Sequence, residues 1–190
     1  TEPELLLLDE PFSSLDVAMR ASMMEEIRTV AKKKNITVLL VTHNFSDVLY
    51  FAERAVALFD GRILQDAHPE NLMRRPVDER VARLVGMDNI LPCSVKKDGE
   101  GRFIELAEGI RFAYGGPLAA TSLFCCLPGD ALRLSGQQEN VSADGRVVVE
   151  GLIERVMPGI GTCRVLVRFG ELLLSVRLPR DDAAGKLDIG

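Results

Sequence analysis

Leu5-Leu6-Leu7-Leu8-Asp9-Glu10-Pro11-Phe12-Ser13-Ser14-Leu15-Asp16 is the stretch on which the fold turns. Four apolar residues in a row, closed by two acids and a proline, fit a short strand buried on both faces of a parallel sheet. Asp9 and Glu10 then sit at the carboxyl end of that strand, where open α/β sheets bind their ligands. A carboxylate there can hold Mg²⁺ directly or through water, because Mg²⁺ keeps several waters and takes only one or two carboxylates. The second acid can polarise an attacking water. Adjacent carboxylates with different neighbours divide metal holding from base chemistry.

Downstream, strand and helix patterns alternate. Residues 18–34 read as a helix with Met19, Met23, Ile27 and Val30 on one apolar face. Asp16 is placed to cap its N-terminus, and Lys32-Lys33-Lys34 suit the negative end of its dipole. Residues 37–42 form a second buried strand rich in β-branched side chains. Residues 45–53 read as a helix, 54–59 as a strand, Asp60-Gly61 as a tight turn and 62–65 as the hairpin partner. His68-Pro69-Glu70-Asn71 opens a short helix, and residues 77–85 form another. This order means an α/β sheet.

Past Gly86 the texture changes to short apolar runs and frequent turns, at Asp98-Gly99, Glu108-Gly109, Gly115-Gly116-Pro117 and Asp144-Gly145. Strands are expected at 89–95, 102–106, 122–127, 131–134, 147–157, 162–169 and 171–178, the pattern of a small all-β barrel or sandwich. Two domains follow, residues 1–86 and 87–190.

A length of 190 residues accommodates that division, and 47% apolar with 27% charged residues is an ordinary globular balance. The net charge of -5 argues against nucleic acid or an anionic membrane as a non-specific partner. No apolar run approaches the roughly 20 residues of a membrane span. Thr1-Glu2-Pro3-Glu4 has no basic region of the kind that opens a signal peptide, and the missing initiator Met suggests a piece of something longer. Cys93, Cys125, Cys126 and Cys163 lack metal-site spacing and read as reduced, buried thiols. With His43 and His68 the only histidines, no zinc cluster is available.

The run from Leu5 to Asp16 resembles, nearly residue for residue, the Walker B motif and D-loop of the ATP-binding cassette (ABC) ATPases. Leu40-Val41-Thr42-His43-Asn44 resembles that family's H-loop, again after a strand, and the run from Ala52 to Ile63 resembles the segment that follows it. The resemblance is collinear over about the first 85 residues. It implies ATP and Mg²⁺ as cofactors, with Asp9 binding Mg²⁺ through water and Glu10 acting as general base. His43 would reach the γ-phosphate and position the water. Asp16, with Ser13 and Ser14, would face a second nucleotide-binding subunit of a homodimer.

No G-x-x-x-x-G-K-[ST] occurs, so the phosphate-cradling loop and its lysine are missing. Tight ATP binding and turnover are therefore not expected of this chain alone. Leu134-Ser135-Gly136-Gln137 is read as a coincidental echo of the family signature, since Gln138-Glu139-Asn140-Val141 leads to a turn rather than a helix.

The second half resembles the TOBE domain, an oligomer-binding-fold module found on importer ATPases. The resemblance is carried by Gly86-Met87-Asp88-Asn89-Ile90-Leu91, by Leu127-Pro128-Gly129-Asp130-Ala131-Leu132-Arg133-Leu134 and by the runs from Gly151 to Val156 and Arg164 to Gly170. The ending from Leu178 to Gly190 looks like the molybdate-binding version. Pro128-Gly129-Asp130 departs from the more usual Pro-Glu-Asp. The implied protein is the ATPase subunit of an importer for molybdate or tungstate, with sulfate next and iron, polyamine or sugar cargoes after it. It would sit peripherally on the cytoplasmic face of the membrane, against permease subunits and indirectly a substrate-binding protein. The alternatives are a non-enzymatic module that senses oxyanions or holds a dimer together, with amides at Gly159-Ile160-Gly161 as an anion site, and a cassette protein outside transport. The β-rich tail disfavours the last.

Overall fold

β1 (Leu5–Asp9) and β2 (Thr37–Val41) pair in parallel, with Leu5 opposite Thr37 and Asp9 opposite Val41. Parallel neighbours need a crossover, supplied by α1 (Val17–Lys34). Asp16 starts this helix: its side chain accepts a hydrogen bond from the Met19 N–H at 2.8 Å. Asn35 ends it in the left-handed region at φ 53°, just after Lys32, Lys33 and Lys34 in the last turn. This computed structural model describes residues 3–99, 101–115, 123–135 and 147–182. The chain divides into two compact units, Thr1–Gly86 and Met87–Gly190.

In the first unit, α2 (Phe45–Phe51) follows β2 and is capped by the Asn44 side chain, which accepts from the Ser46 N–H at 3.0 Å. β3 (Ala55–Phe59) and β4 (Arg62–Ala67) form a hairpin. Its two-residue turn has Asp60 at φ 47° and Gly61 at φ 71°, the signs a type I′ turn requires. α3 (Pro69–Arg74) and α4 (Glu79–Leu84) pack around the hairpin and bury Leu72, Val81 and Ala82, with Val85 just beyond α4.

Two expectations fail here. β1 and β2 are covered on one face only: Leu6, Leu8, Val38 and Leu40 are half-buried, while Leu5, Leu7, Leu39 and Val41 are exposed, Leu7 at 64%. A continuous apolar run does not say how many layers surround it, and two strands with one crossover helix supply one layer. On α1, Met19, Met23 and Val30 are exposed, and the buried residue is Met24.

The second unit is built of strands. β5 (Asn89–Asp98), β6 (Gly101–Glu105), β7 (Arg111–Ala113) and β8 (Leu123–Leu127) lie in the order β7-β6-β5-β8. β9 (Leu152–Pro158), β10 (Thr162–Phe169) and β11 (Leu172–Pro179) lie in the order β11-β10-β9. All pairings are antiparallel. β11 unites two apolar clusters: Val176 and Leu178 pack with Cys163, Val165 and Val167, and Leu174 packs with Leu91, Leu106 and Ile110.

Buried Asn89 ties β11 to β8. Its amide donates to the Leu127 and Ser175 carbonyls, both at 2.9 Å, and its oxygen accepts from the Ser175 N–H at 2.6 Å.

Residues 131–134 do not form a strand. Ala131 closes a 3₁₀ turn begun at Gly129, residues 132–134 continue without regular structure, and the N–H of Gly129 donates to Asp88 at 2.8 Å. The strand expected from residue 147 begins at Leu152, and the three-residue β7 was not anticipated. Ser122, Gly116-Pro117, the 136–146 segment with Gly136-Gln137, Gln138-Glu139-Asn140-Val141 and Asp144-Gly145, and residues 183–190 lie outside the described residues.

Candidate functional site

β1 and β2 run in the same direction and in register, so the segments that follow them leave the sheet at the same end. The Glu10 N–H donates to the Val41 carbonyl at 2.9 Å and extends the ladder by one step. The backbone then turns away, with Glu10 in the left-handed region at φ 45°. A non-glycine residue there is uncommon and carries strain. The Ser13 hydroxyl donates to the Glu10 carbonyl at 2.9 Å and closes the turn.

From this position the Glu10 side chain reaches the segment after β2. One carboxylate oxygen, Oε1, accepts from the His43 backbone N–H at 3.0 Å and meets His43 Nδ1 at 2.7 Å. An ionised carboxylate only accepts hydrogen bonds. With the carboxylate ionised, Nδ1 is the donor in this contact and Nε2 is the nitrogen left for another partner. The His43 side chain is 76% exposed and that of Glu10 36%, so both remain open to a ligand. Asp9 ends β1 on the exposed face of the sheet, and Ser13, Ser14 and Asp16 are exposed.

Among the described residues no group of three or more His, Cys, Asp and Glu side chains could enclose a metal ion. An exposed strand-end carboxylate such as Asp9 fits the looser demand of Mg²⁺, which takes its other ligands from water and phosphate.

Behind the pair lies an ionic link that the motifs did not point to. Arg20, on α1, donates from Nη2 to the Phe12 carbonyl at 3.2 Å, and its Nη1 lies 3.7 Å from Oδ1 of Asp47. The Asp47 side chain is 4% exposed. Its Oδ2 accepts from the Thr42 hydroxyl at 3.4 Å, and that hydroxyl accepts from the Asn44 N–H at 3.1 Å. Phe12, 1% exposed, anchors the first segment in the core. The signal available in the sequence was slight: Arg20 is one of seven charged residues on α1, one turn after Asp16, and Asp47 is the one charged residue of α2, one turn after His43.

In the second unit, Asp88 accepts from Gly129 and lies against Arg164 and Arg177, with Arg177 Nη2 at 2.7 Å. A Cβ on Gly129 would lie 2.9 Å from Asp88 Oδ2, so the glycine at this point of the Pro128-Gly129-Asp130 turn answers a close approach. The N–H of Gly159 is committed to the Thr162 carbonyl at 2.8 Å, which removes one donor from the anion site expected at Gly159-Ile160-Gly161.

No protein-family model matches the chain. An Fe(3+) ions import ATP-binding protein of Pseudomonas fluorescens is 37% identical over 94 residues, 50% of this chain and 27% of that protein. A spermidine/putrescine import ATP-binding protein of Nitratidesulfovibrio vulgaris is 34% identical over 140 residues, 73% of this chain and 36% of the relative. A match of that length necessarily crosses Gly86 and takes in both units. A molybdate/tungstate import ATP-binding protein of Pyrococcus abyssi is 41% identical over 90 residues, 47% of this chain and 26% of the relative. Among solved structures, an inward-facing metal-chelate type ABC transporter overlaps 55% of this chain and 39% of its own at 21% identity, with a TM-score of 0.38. The chain spans between a quarter and about a third of the length of these curated relatives. What the chain is similar to, over about half its length or more, is the ATP-binding subunit of ABC importers.

Proposed function

We propose that this chain is the rear part of the ATP-hydrolysing subunit of an ABC importer and carries the water-activating edge of the ATP site. The observation that supports this most is the contact between Glu10 and His43 at the carboxyl ends of two parallel strands. On this reading Glu10 is the general base that draws the proton from the attacking water. His43, steadied through Nδ1, presents Nε2 towards the terminal phosphate. Asp9 would hold Mg²⁺ through water, and Mg²⁺ when bound supplies charge neutralisation at the phosphates. Asp16, Ser13 and Ser14 are exposed, as residues facing a second nucleotide-binding subunit must be.

Exposed Leu5, Leu7, Leu39 and Val41 support a larger domain around β1 and β2, because parallel sheets are normally covered on both faces. Further layers from the same subunit would cover this face and bring the phosphate-cradling loop. The subunit would work on the cytoplasmic face of the membrane against permease subunits. Residues 87–190 would be its TOBE-like module, either a sensor of imported oxyanion or a unit that holds the dimer together. For cargo we favour molybdate or tungstate, supported by the 41% identity to the Pyrococcus abyssi relative. The iron and polyamine relatives motivate the second choices.

The test is Glu10→Gln in a chain that also carries the ATP-gripping loop. Glutamine is near-isosteric and keeps an acceptor for His43 but cannot take a proton. Steady-state hydrolysis should fall by about a hundredfold or more, a typical general-base contribution, while ATP binding stays within about twofold. Hydrolysis retained near the parent rate would remove Glu10 from the role of base.

A further inference from the structure

We propose that Arg20 is a positioning residue for the Glu10–His43 pair, a role that rests on the hydrolytic reading of that pair. Glu10 and His43 belong to different segments, so their contact depends on how those segments are held relative to one another. Arg20 touches both. One nitrogen of its guanidinium holds the carbonyl of Phe12, two residues after Glu10, and the other faces the Asp47 carboxylate. Asp47 accepts from Thr42, and Thr42 accepts from Asn44, so the residues on either side of His43 belong to the same chain of contacts. The link thus runs from the turn after Glu10 to the turn around His43 without using either side chain.

The chemistry of arginine explains why this residue and not another fills the position. Its planar fork separates two donors by a fixed distance, so it can hold a carbonyl and a carboxylate at once. Lysine would keep the positive charge beside buried Asp47 but offers one nitrogen. A second tie joins the same two helices: the Tyr50 hydroxyl on α2 donates to Glu25 on α1 at 2.6 Å, with Arg28 stacked 5.6 Å from the Tyr50 ring centre. Loss of the fork should therefore loosen the registration of the two segments while α2 stays docked on α1.

Amide hydrogen exchange in the 190-residue chain, followed by NMR, separates positioning from bulk stabilisation. The His43 N–H is held by the Glu10 carboxylate, whereas the Leu8 and Leu39 amides face each other's strand in the β1–β2 ladder. Arg20→Lys should speed exchange at His43 by about fivefold or more and leave the amides of that pair within about twofold. Thr42→Val, which removes only the hydroxyl, should produce a smaller rise confined to the same place. Thr42→Val decides the matter if Arg20→Lys disturbs the fold. His43 exchange that stays unchanged, or that rises only in step with the strand amides in both variants, would overturn the proposal.

In a chain carrying the complete ATP site, Arg20→Lys should lower kcat about tenfold with KM for ATP within about twofold. Equal loss in both constants would also overturn it. If the unsubstituted chain with the complete site fails to hydrolyse ATP while the exchange pattern holds, the hydrolytic reading falls and the positional link stands.

Discussion

At the scale of the residue, Glu10 and the cysteines show how local surroundings decide chemistry. Glu10 stands in a strained conformation at φ 45°, and that turn directs its carboxylate across to His43. The thiols are governed by burial. Cys125 is pushed up to about 11, chiefly by burial, with Cys93 and Cys126 adding to the effect, and burial also raises Cys93 and Cys126 themselves. Only the thiolate reacts, so raised values suppress reactivity at neutral pH. Cys163 is 1% exposed and shielded outright. At pH 7.5 an aromatic disulfide reagent should modify Cys125 about a hundredfold more slowly in the native chain than in denaturant, where its thiol returns to the ordinary range. The Cys125 rate should climb with pH as the solution approaches its raised value. Rapid labelling of Cys125 or of buried Cys163 in the native chain at pH 7.5 would contradict the burial.

At the scale of the element, turn geometry and buried amides carry separate, measurable costs. Gly61 has φ 71° and open space around its Cα, so Gly61→Ala meets no atom and its cost is conformational alone. An L-residue in the left-handed region costs about 1 kcal/mol, and urea denaturation should show a loss of that size. Asn89 is the opposite case, conformationally ordinary but bonded at every point. Asn89→Ala strands the Ser175 N–H and two carbonyls between β8 and β11. Loss of buried bonding of this kind costs about 2 kcal/mol or more, and unfolding followed by a probe in residues 87–190 should register it.

Elements with one dominant local cause were readable from the chain. The apolar runs marked β1 and β2, Asp16 marked the start of α1, and Asp60-Gly61 marked the hairpin turn. Elements whose state depends on distant partners were not. Residues 131–134 alternate like a strand, but the Gly129 N–H is drawn to Asp88, 41 positions earlier, and the chain turns there instead. β7 has three residues, too few for any period to show, and exists through its pairing with β6. At the candidate site, the placement of Asp9, Glu10 and His43 at the ends of two strands was readable because acids and a histidine close two apolar runs. Arg20 and Asp47 were not, because a helix surface charge becomes a link only once α1 and α2 are packed.

At the scale of the whole molecule, the first unit presents more apolar surface than a self-sufficient domain should. Leu5, Leu7, Leu39 and Val41 lie on one side of the two-stranded sheet, and Met19, Met23 and Val30 are exposed on α1. Contiguous patches of this kind mark surfaces that other protein covers. The chain by itself should therefore bind a hydrophobic dye and self-associate as its concentration rises. Leu7 and Leu39 face each other across the strand pair, both exposed, so a Lys at one and a Glu at the other would replace apolar area with a cross-strand ion pair. Leu7→Lys with Leu39→Glu should reduce dye binding and shift sedimentation towards the monomer, and change stability by no more than about 1 kcal/mol, since neither leucine is in the core. In a chain that carries the covering layers the same pair of charges would be buried and should prevent folding. Tolerance of the two charges in both settings would overturn the larger domain proposed around β1 and β2.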